Sequence, residues 1–379
     1  MQSFERSTHG RNWIFTEPQL AELRHKLYEQ TAEKLKSAEA EKGITTSNLT
    51  VLTADEEKLL REYYECKLQE ICQEPVCPDQ KHPAITVPKY TQRAMCTALS
   101  YFKRFFLKVS IVEENPRHMI FAALFLAGKV EEEKITLDDL LSSYAPKLKP
   151  ETLLALEKRL LETLSFQLVV FSPFRALVGF LCDLQTWSRA QADKLSAAAA
   201  DKKAEEAEMQ RLQIEGMAAV RDALVGDVPM LYSPQQIALA VLRRVAKRGG
   251  GGGGGVPVDA WLRDRFAFLH EGDVGTLDSQ LHAVEEQVER ARLSKLEASS
   301  ESAKKHLELL EERRRAVFKL VKAHSAALDS RQQAAEGAEA VAKFHAEIKE
   351  AERTEARVTG IGAGADDGAP FKLHKRIRT

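Results

Sequence analysis

The chain lacks the residue patterns on which most catalytic and metal sites depend. Its five cysteines form no paired CxxC motif, so their spacing predicts neither a zinc site nor an even disulfide framework. The ten histidines include no HExxH, and no serine lies in GxSxG. The seven consecutive glycines at 249–255 are not followed by the GK[ST] of a phosphate-binding loop. The sequence therefore predicts no enzyme, no cofactor and no bound metal.

A surplus of one charge and a long apolar segment are also missing. Lys and Arg total 55 against 56 Asp and Glu, a net charge of −1, so no general attraction to nucleic acid or to an acidic membrane is expected. No apolar stretch reaches the ~20 residues needed to span a bilayer, and the N-terminus has no secretory signal. We expect a soluble, non-secreted protein with no direct nucleic-acid partner and no membrane partner.

Strand-type alternation is absent, and apolar residues recur at helical spacing instead. From Met119 to Val130 they cover the whole circumference of a predicted helix, so other helices should enclose it. Asn115 fits the N-cap of this helix and Pro116 its first position. An all-α fold with one central buried helix is predicted for this part of the chain.

The central helix has a second copy. In each copy a proline is followed thirteen positions later by a lysine: Pro116 and Lys129 in the first, Pro234 and Lys247 in the second. The period of about 118 residues far exceeds that of solenoid units, which favours two tandem globular domains. Because the second copy has Arg243 where the first has Phe125, its packing should differ on that face.

Capping residues and composition place the boundaries. Thr16 should open a helix over 17–42, Thr53 and Glu56 form a capping box, Thr136 should open a short helix, and Pro150 one that runs to Phe166. The predicted domains are an N-terminal extension with a docking helix (1–49), a first helical domain (50–169), a second (170–296) with an exposed helical insertion (188–215) and a glycine linker (249–255), and a charged C-terminal helix with a flexible tail (297–379).

Few residues suggest a binding role. Glu131, Glu132 and Glu133 point about 100° apart on a helix and cannot converge on a ligand, which favours a solvated helix end. Lys129 ends a buried helix, so its ammonium can extend to the surface, either simply solvated or donating to a partner's backbone carbonyls. Glu157, on the predicted fifth helix, is equally a surface acid or an acceptor for a partner's N–H groups.

Several of these segments together resemble the cyclin fold. They are YFKRFFL on the second helix, FLAGKVEEE at the end of the third, LEKRLLETLSFQL on the fifth, and FSPFRALVGFLCDL and LYSPQQIALAVL in the second domain. The resemblance covers about residues 50–295 and implies two tandem five-helix cyclin boxes with flanking N- and C-terminal helices. Within the family the H group fits best, on RNWIFTEPQLAELR and on the spacing from YFKRF to NPR.

The resemblance implies a function for the chain. Cyclins of the H group are regulatory subunits of the CDK-activating kinase, assembled with a cyclin-dependent kinase and a RING-finger assembly factor, and associated with the TFIIH core. They promote phosphorylation of kinase activation loops and of the RNA polymerase II C-terminal domain, in the nucleus. The family's two kinase-contacting residues fall on Lys129 and Glu157. One departure is Gly128, where cyclins usually carry Ser, Cys or Ala.

Other interpretations remain open at this stage. A cyclin C-like subunit of the Mediator kinase shares a similar first box, although the flanking helices argue against it. A TFIIB-like transcription factor also uses two cyclin folds, but that family carries a zinc ribbon, for which the chain has no CxxC pair. A helical scaffold would explain the C-terminal helix alone. The basic ending HKRIR is compatible with nuclear import without establishing it.

Overall fold

A computed structural model describes residues 3–42, 52–76, 87–194, 199–249, 256–267, 271–298 and 300–360. These residues are helical, apart from turns, loops and one antiparallel pair of two-residue strands, β1 (Pro75–Val76) and β2 (Val87–Pro88). The prediction of an all-α fold with two tandem boxes is confirmed. The chain divides into two units, Met1–Val321 and Lys322–Thr379.

The N-terminal extension and the first box supply seven α-helices. After a short 3₁₀ turn (Phe4–Arg6), the extension contains α1 (Thr8–Asn12) and α2 (Glu17–Lys42). The first box consists of α3 (Ala54–Gln73), α4 (Gln92–Phe106), α5 (Pro116–Val130), α6 (Leu137–Tyr144) and α7 (Pro150–Thr163). Helix α5 packs against α3, α4, α6 and α7. It is therefore the enclosed central helix that its apolar circumference predicts.

The predicted helix starts are confirmed. Thr53 and Glu56 make a complete capping box, and the side chains of Asn115 and Thr136 accept hydrogen bonds from the first turns of α5 and α6. One predicted end is wrong, because α7 stops at Thr163 and not at Phe166. Phe166 has a φ of 57°, in the left-handed region that ends a helix.

The second box repeats this plan around α11. Its helices are α8 (Pro173–Lys194), α9 (Ala199–Ala223), the single turn α10 (Val228–Leu231), α11 (Pro234–Gly249), α12 (Val258–Arg265) and α13 (Glu271–Ala298). Helix α11 packs against α8, α9 and α13. Residues 250–255 of the predicted glycine linker lie outside the described residues.

The exposed insertion predicted at 188–215 needs correction. Residues 195–198 lie outside the described part, and residues 203–208 are mostly exposed, but Met209 and Leu212 are buried. Helix α9 packs against α8, α11 and α13, so it is a core element of the second box. The alanine- and lysine-rich composition therefore belongs to the outer end of a box helix. Among these polar and small residues, Met209 and Leu212 are the apolar positions at which the buried face of α9 begins.

The N-terminal extension contacts both boxes. The indole N–H of Trp13 donates to Gln167 in the connection between the boxes, 2.9 Å away, and the guanidinium of Arg104 on α4 lies 4.9 Å from the Trp13 ring centre. The N–H of Phe15 donates to the carbonyl oxygen of Met230 in the second box at 2.8 Å. The extension therefore connects the first box, the connection and the second box.

Helix α14 (Glu301–Gly360) returns to the first box along its initial residues. Its buried stripe is formed by Leu307, Leu310, Arg314, Val317 and Val321. Arg314 stands where an apolar residue would continue a helical seam, yet it is buried: it donates to Glu311 at 2.7 Å and lies 3.4 Å from the carbonyl oxygen of Ile111. The stripe therefore extends through Arg314 because its charge is paired.

None of the helices in the described residues is both long enough and apolar enough to cross a bilayer.

Candidate partner-binding site

The end of α5 brings a charged side chain from the protein core to the surface. From Met119 to Gly128 every residue of the helix is buried, whereas Lys129 and Val130 are exposed. Helix α5 is enclosed on its sides by the other helices of the box, so it is accessible at its two ends, at Arg117 and at Lys129 with Val130. Lys129 thus lies where a central helix reaches solvent, as predicted.

Lys129 and Glu157 form an ion pair that sequence analysis did not predict. The ammonium nitrogen of Lys129 lies 2.7 Å from Oε1 and 2.9 Å from Oε2 of Glu157, on α7. The two side chains differ in exposure, 51% for lysine and 9% for glutamate. The ammonium also lies 4.1 Å from the ring centre of Phe125, within cation–π distance. A buried carboxylate therefore fixes an exposed cation.

Exposed apolar side chains occur on the same elements as this pair. Val130 follows Lys129, and Leu154 lies one helical turn before Glu157 on the same side of α7. Phe166 follows the end of α7 and is 68% exposed. An exposed phenylalanine held in a left-handed conformation is uncommon. Sequence analysis missed Phe166, whose only signal is an aromatic residue just beyond a helix end.

Two of the three glutamates after α5 make tertiary hydrogen bonds and are not simply solvated. Glu131 accepts hydrogen bonds from Arg93 at 2.8 Å and Thr97 at 2.7 Å, while Glu133 accepts from the backbone N–H and the hydroxyl of Thr91 at 2.9 and 2.8 Å. Only Glu132 points into solvent. The prediction for this run is therefore wrong for two of its members, which bind the end of α5 to the start of α4.

The second box carries a related pair with different surroundings. Lys247 on α11 lies 3.5 Å from Glu285 on α13, a counterpart of the pair in the first box. Here, however, Arg243 occupies the position of Phe125 and is buried, with Glu285 at 2.9 Å and Asp278 at 2.5 Å. The predicted difference in packing is confirmed. The carboxylate is shared by two cations, so Lys247 is bound less directly than Lys129.

The comparisons with known proteins agree with this geometry. The family model of the cyclin N-terminal domain matches residues 85–169, and that of the cyclin C-terminal domain matches residues 172–313. Cyclin-H1-1 of Arabidopsis thaliana is 30% identical over 266 residues, which is 64% of this chain and 70% of that protein. Cyclin mcs2 of Schizosaccharomyces pombe is 33% identical over 193 residues, 48% of this chain and 55% of that protein.

Two solved structures share the fold. One is the CAK complex of Chaetomium thermophilum bound to ATP-γ-S, with a TM-score of 0.65, 22% identity, and coverage of 87% of this chain and 94% of the matched chain. The other is the yeast TFIIK complex of Kin28, Ccl1 and Tfb3, with a TM-score of 0.54, 23% identity, and coverage of 75% and 99%.

One conclusion follows from the two helical boxes, the two matching family models and the relatives. The chain belongs to the cyclin family. Its relatives within the family include Cyclin-H1-1, which confirms the closer resemblance to the H group predicted from the sequence. It is a regulatory protein and not itself an enzyme.

Proposed function

We propose that the chain binds and activates a cyclin-dependent kinase, as the regulatory subunit of a CDK-activating kinase. The observation that carries the proposal is the Lys129–Glu157 pair, an exposed cation fixed by a buried carboxylate at the end of the central helix. Val130 on α5, Leu154 on α7 and Phe166 just after α7 add exposed apolar area. A charged pair with apolar neighbours is suited to docking a protein partner.

The mechanism follows from how protein kinases are switched on. In the active kinase a lysine of strand β3 pairs with a glutamate of the αC helix, and the position of αC controls this pair. A cyclin surface that binds αC in its inward position more tightly than in its outward position shifts the kinase population toward the active form. In this proposal the exposed side chains of Val130, Leu154 and Phe166 supply the buried area, and the ion pair sets the register.

The ion pair prepares Lys129 for this contact. A lysine ammonium has three donors, and the carboxylate of Glu157 lies within hydrogen-bond distance through both of its oxygens. Because the side chain is already held, binding loses less rotamer freedom than it would for a mobile lysine. A backbone carbonyl at the end of a partner helix is the acceptor we assign to the exposed side of the ammonium. Glu157 keeps lone pairs for a partner N–H.

The further partners and the substrates belong to the same proposal. The yeast TFIIK complex that shares this fold contains Kin28, Ccl1 and Tfb3, and one relative is Cyclin-H1-1. By this analogy we propose a cyclin-dependent kinase and a RING-finger assembly factor as partners, association with the TFIIH core, and a nuclear location. The substrates are kinase activation loops and the RNA polymerase II C-terminal domain. HKRIR, the proposed import signal, lies outside the described residues.

Co-expression tests the proposal. The full chain is produced with the catalytic subunit of the CDK-activating kinase and, separately, with the Mediator kinase. Each complex is then purified and assayed on a kinase activation loop and on polymerase C-terminal repeats. We expect a stable complex and raised activity with the first kinase. Binding of the Mediator kinase alone would support the cyclin C-like alternative, and binding of neither would contradict the proposal.

A further inference from the structure

Gly128 lies in α5, immediately before Lys129, and is buried. Glycine destabilises a helix interior relative to alanine because it has more backbone freedom to lose on folding. A glycine in the last turn of a buried helix therefore requires a local reason. The residue that packs against it provides one.

Ile135 occupies the space that a side chain at position 128 would need. A Cβ atom built on Gly128 would lie 2.8 Å from both Cβ and Cγ1 of Ile135 and 2.9 Å from its Cδ1. Ile135 is buried, and its β-branched side chain has few alternative rotamers. One of the close atoms is its own Cβ, which moves only with the backbone. An alanine at position 128 would therefore displace the chain at Ile135.

Backbone hydrogen bonds hold the turn that brings Ile135 back against Gly128. The N–H of Glu133 donates to the carbonyl oxygen of Gly128 at 2.9 Å, and the N–H of Glu131 donates to that of Ala127 at 2.9 Å. Between them Glu132 has a left-handed φ of 57°, which turns the chain back over the end of α5. Lys129 lies inside the segment that this turn closes. A shift of the turn is therefore transmitted to the last turn of α5.

We propose that Gly128 and Ile135 form a size-matched pair that positions Lys129 for the partner kinase. This inference rests on the proposed function and names a positioning residue for it. Gly128 is buried and acts through the direction in which Lys129 leaves the helix toward Glu157. Ile135 holds the turn against α5, and the bare Cα of Gly128 allows the close approach.

The test measures the affinity of the full chain for its kinase by titration calorimetry. We expect Gly128→Ala to weaken binding about tenfold, but less than about threefold in a Lys129→Ala background, because coupled residues are not additive. Adding Ile135→Gly to Gly128→Ala removes all three close atoms, the Cβ included, and should restore part of the lost affinity. Gly179→Ala is the matched control, since nothing lies within 4 Å of a Cβ at that helical glycine.

Two results would overturn this inference without touching the proposed function. One is wild-type affinity in Gly128→Ala, and the other is an equal loss of affinity from Gly128→Ala in the wild-type and Lys129→Ala backgrounds. If Gly128→Ala does not fold, Ile135→Ala replaces it, because the gap it leaves also releases the turn. We then expect binding at least about threefold weaker, again only when Lys129 is present, and unchanged binding overturns the inference. A wild-type chain that binds no kinase, or full affinity in Lys129→Ala, contradicts the proposed function as well.

Discussion

The ammonium group of Lys103 on α4 donates to the carboxylate of Glu65 on α3 and to the carbonyl oxygen of Gly226 in the second box, 2.7 Å away. The N–H of Gly226 returns a hydrogen bond to Glu65 at 2.8 Å. Both charged side chains are buried, and Gly226 has a φ of 75°, which suits a residue without a side chain. This buried ion pair therefore connects the two boxes through one backbone unit.

Removing one member of this pair should destabilise the chain strongly. In Lys103→Met, Glu65 remains buried without its counter-charge, and burial already raises the pKa of that carboxyl. We expect a loss of about 3–5 kcal/mol in the free energy of unfolding, measured by urea denaturation. Lys103→Met combined with Glu65→Leu should recover most of that loss. Unchanged stability in the single variant would contradict a structural role for the pair.

His9 should make the chain sensitive to acid. Burial, followed by the positive charge of Arg104, lowers the pKa of His9 from 6.5 to about 3, and its Nδ1 accepts a hydrogen bond from the N–H of Phe171 at 3.0 Å. Between these pH values the unfolded chain binds a proton at this residue that the folded chain does not. The free energy of unfolding therefore has its full value above pH 6.5, and the contribution from neutral His9 is lost as the pH falls toward 3.

His9→Asn retains an acceptor near the Phe171 N–H but cannot titrate. We expect its free energy of unfolding to fall less steeply below pH 6.5 than that of the wild type. The slopes should differ by up to about 1.4 kcal/mol per pH unit. Urea denaturation from pH 7.5 to 4.5 measures this difference. Parallel pH profiles for the two proteins would show that His9 is not a source of acid sensitivity.

Arg314 and Arg315 are adjacent on α14 and offer a matched comparison. Both donate to Glu311, but Arg314 is buried against the first box whereas Arg315 is exposed. We expect Arg314→Ala to cost about 3 kcal/mol and to speed hydrogen exchange over 307–321, because it removes a large buried side chain together with its contact to the Ile111 carbonyl oxygen. Arg315→Ala should change stability by less than about 0.5 kcal/mol. Similar exchange in the two variants would argue against docking of α14 through Arg314.

The features that the sequence could predict are local ones. The start of α5 depends on Asn115 and Pro116, and the start of α3 on Thr53 and Glu56, so neighbouring residues carry the necessary information. The apolar circumference of α5 likewise predicts its enclosure without knowledge of the other helices. The local pattern of capping and apolar residues was therefore sufficient to place Lys129 at the end of a buried helix.

The features that escaped prediction depend on residues distant in sequence. Glu157 was equally compatible with a surface acid until the fold brought it to Lys129, 28 positions away. Glu131 and Glu133 were assigned to solvent because their partners on α4 lie about 40 residues earlier. Arg314 lies in a buried apolar stripe, and its pairing with Glu311 explains how a charged residue is accommodated there. At each of these positions, a partner from another part of the chain or of the fold determines where the charged side chain lies.

The central prediction concerns Lys129 and Glu157 acting together. Replacing both by alanine removes the exposed cation and its buried partner at once, so no unpaired charge from this pair remains in the box. Lys158→Ala with Glu162→Ala is the matched control, because this exposed pair lies on α7, the helix that carries Glu157. We expect both double variants to be folded, as judged by circular dichroism and thermal melting.

The most direct test is the dissociation constant of the full chain for the kinase, together with the kinase activity it induces. We predict that Lys129→Ala/Glu157→Ala weakens binding at least about tenfold and lowers activation, because central residues of an interface carry most of its energy. The control pair should stay within about twofold of wild type, as expected for an exposed ion pair. Wild-type affinity and activation in a folded Lys129→Ala/Glu157→Ala protein would contradict the account.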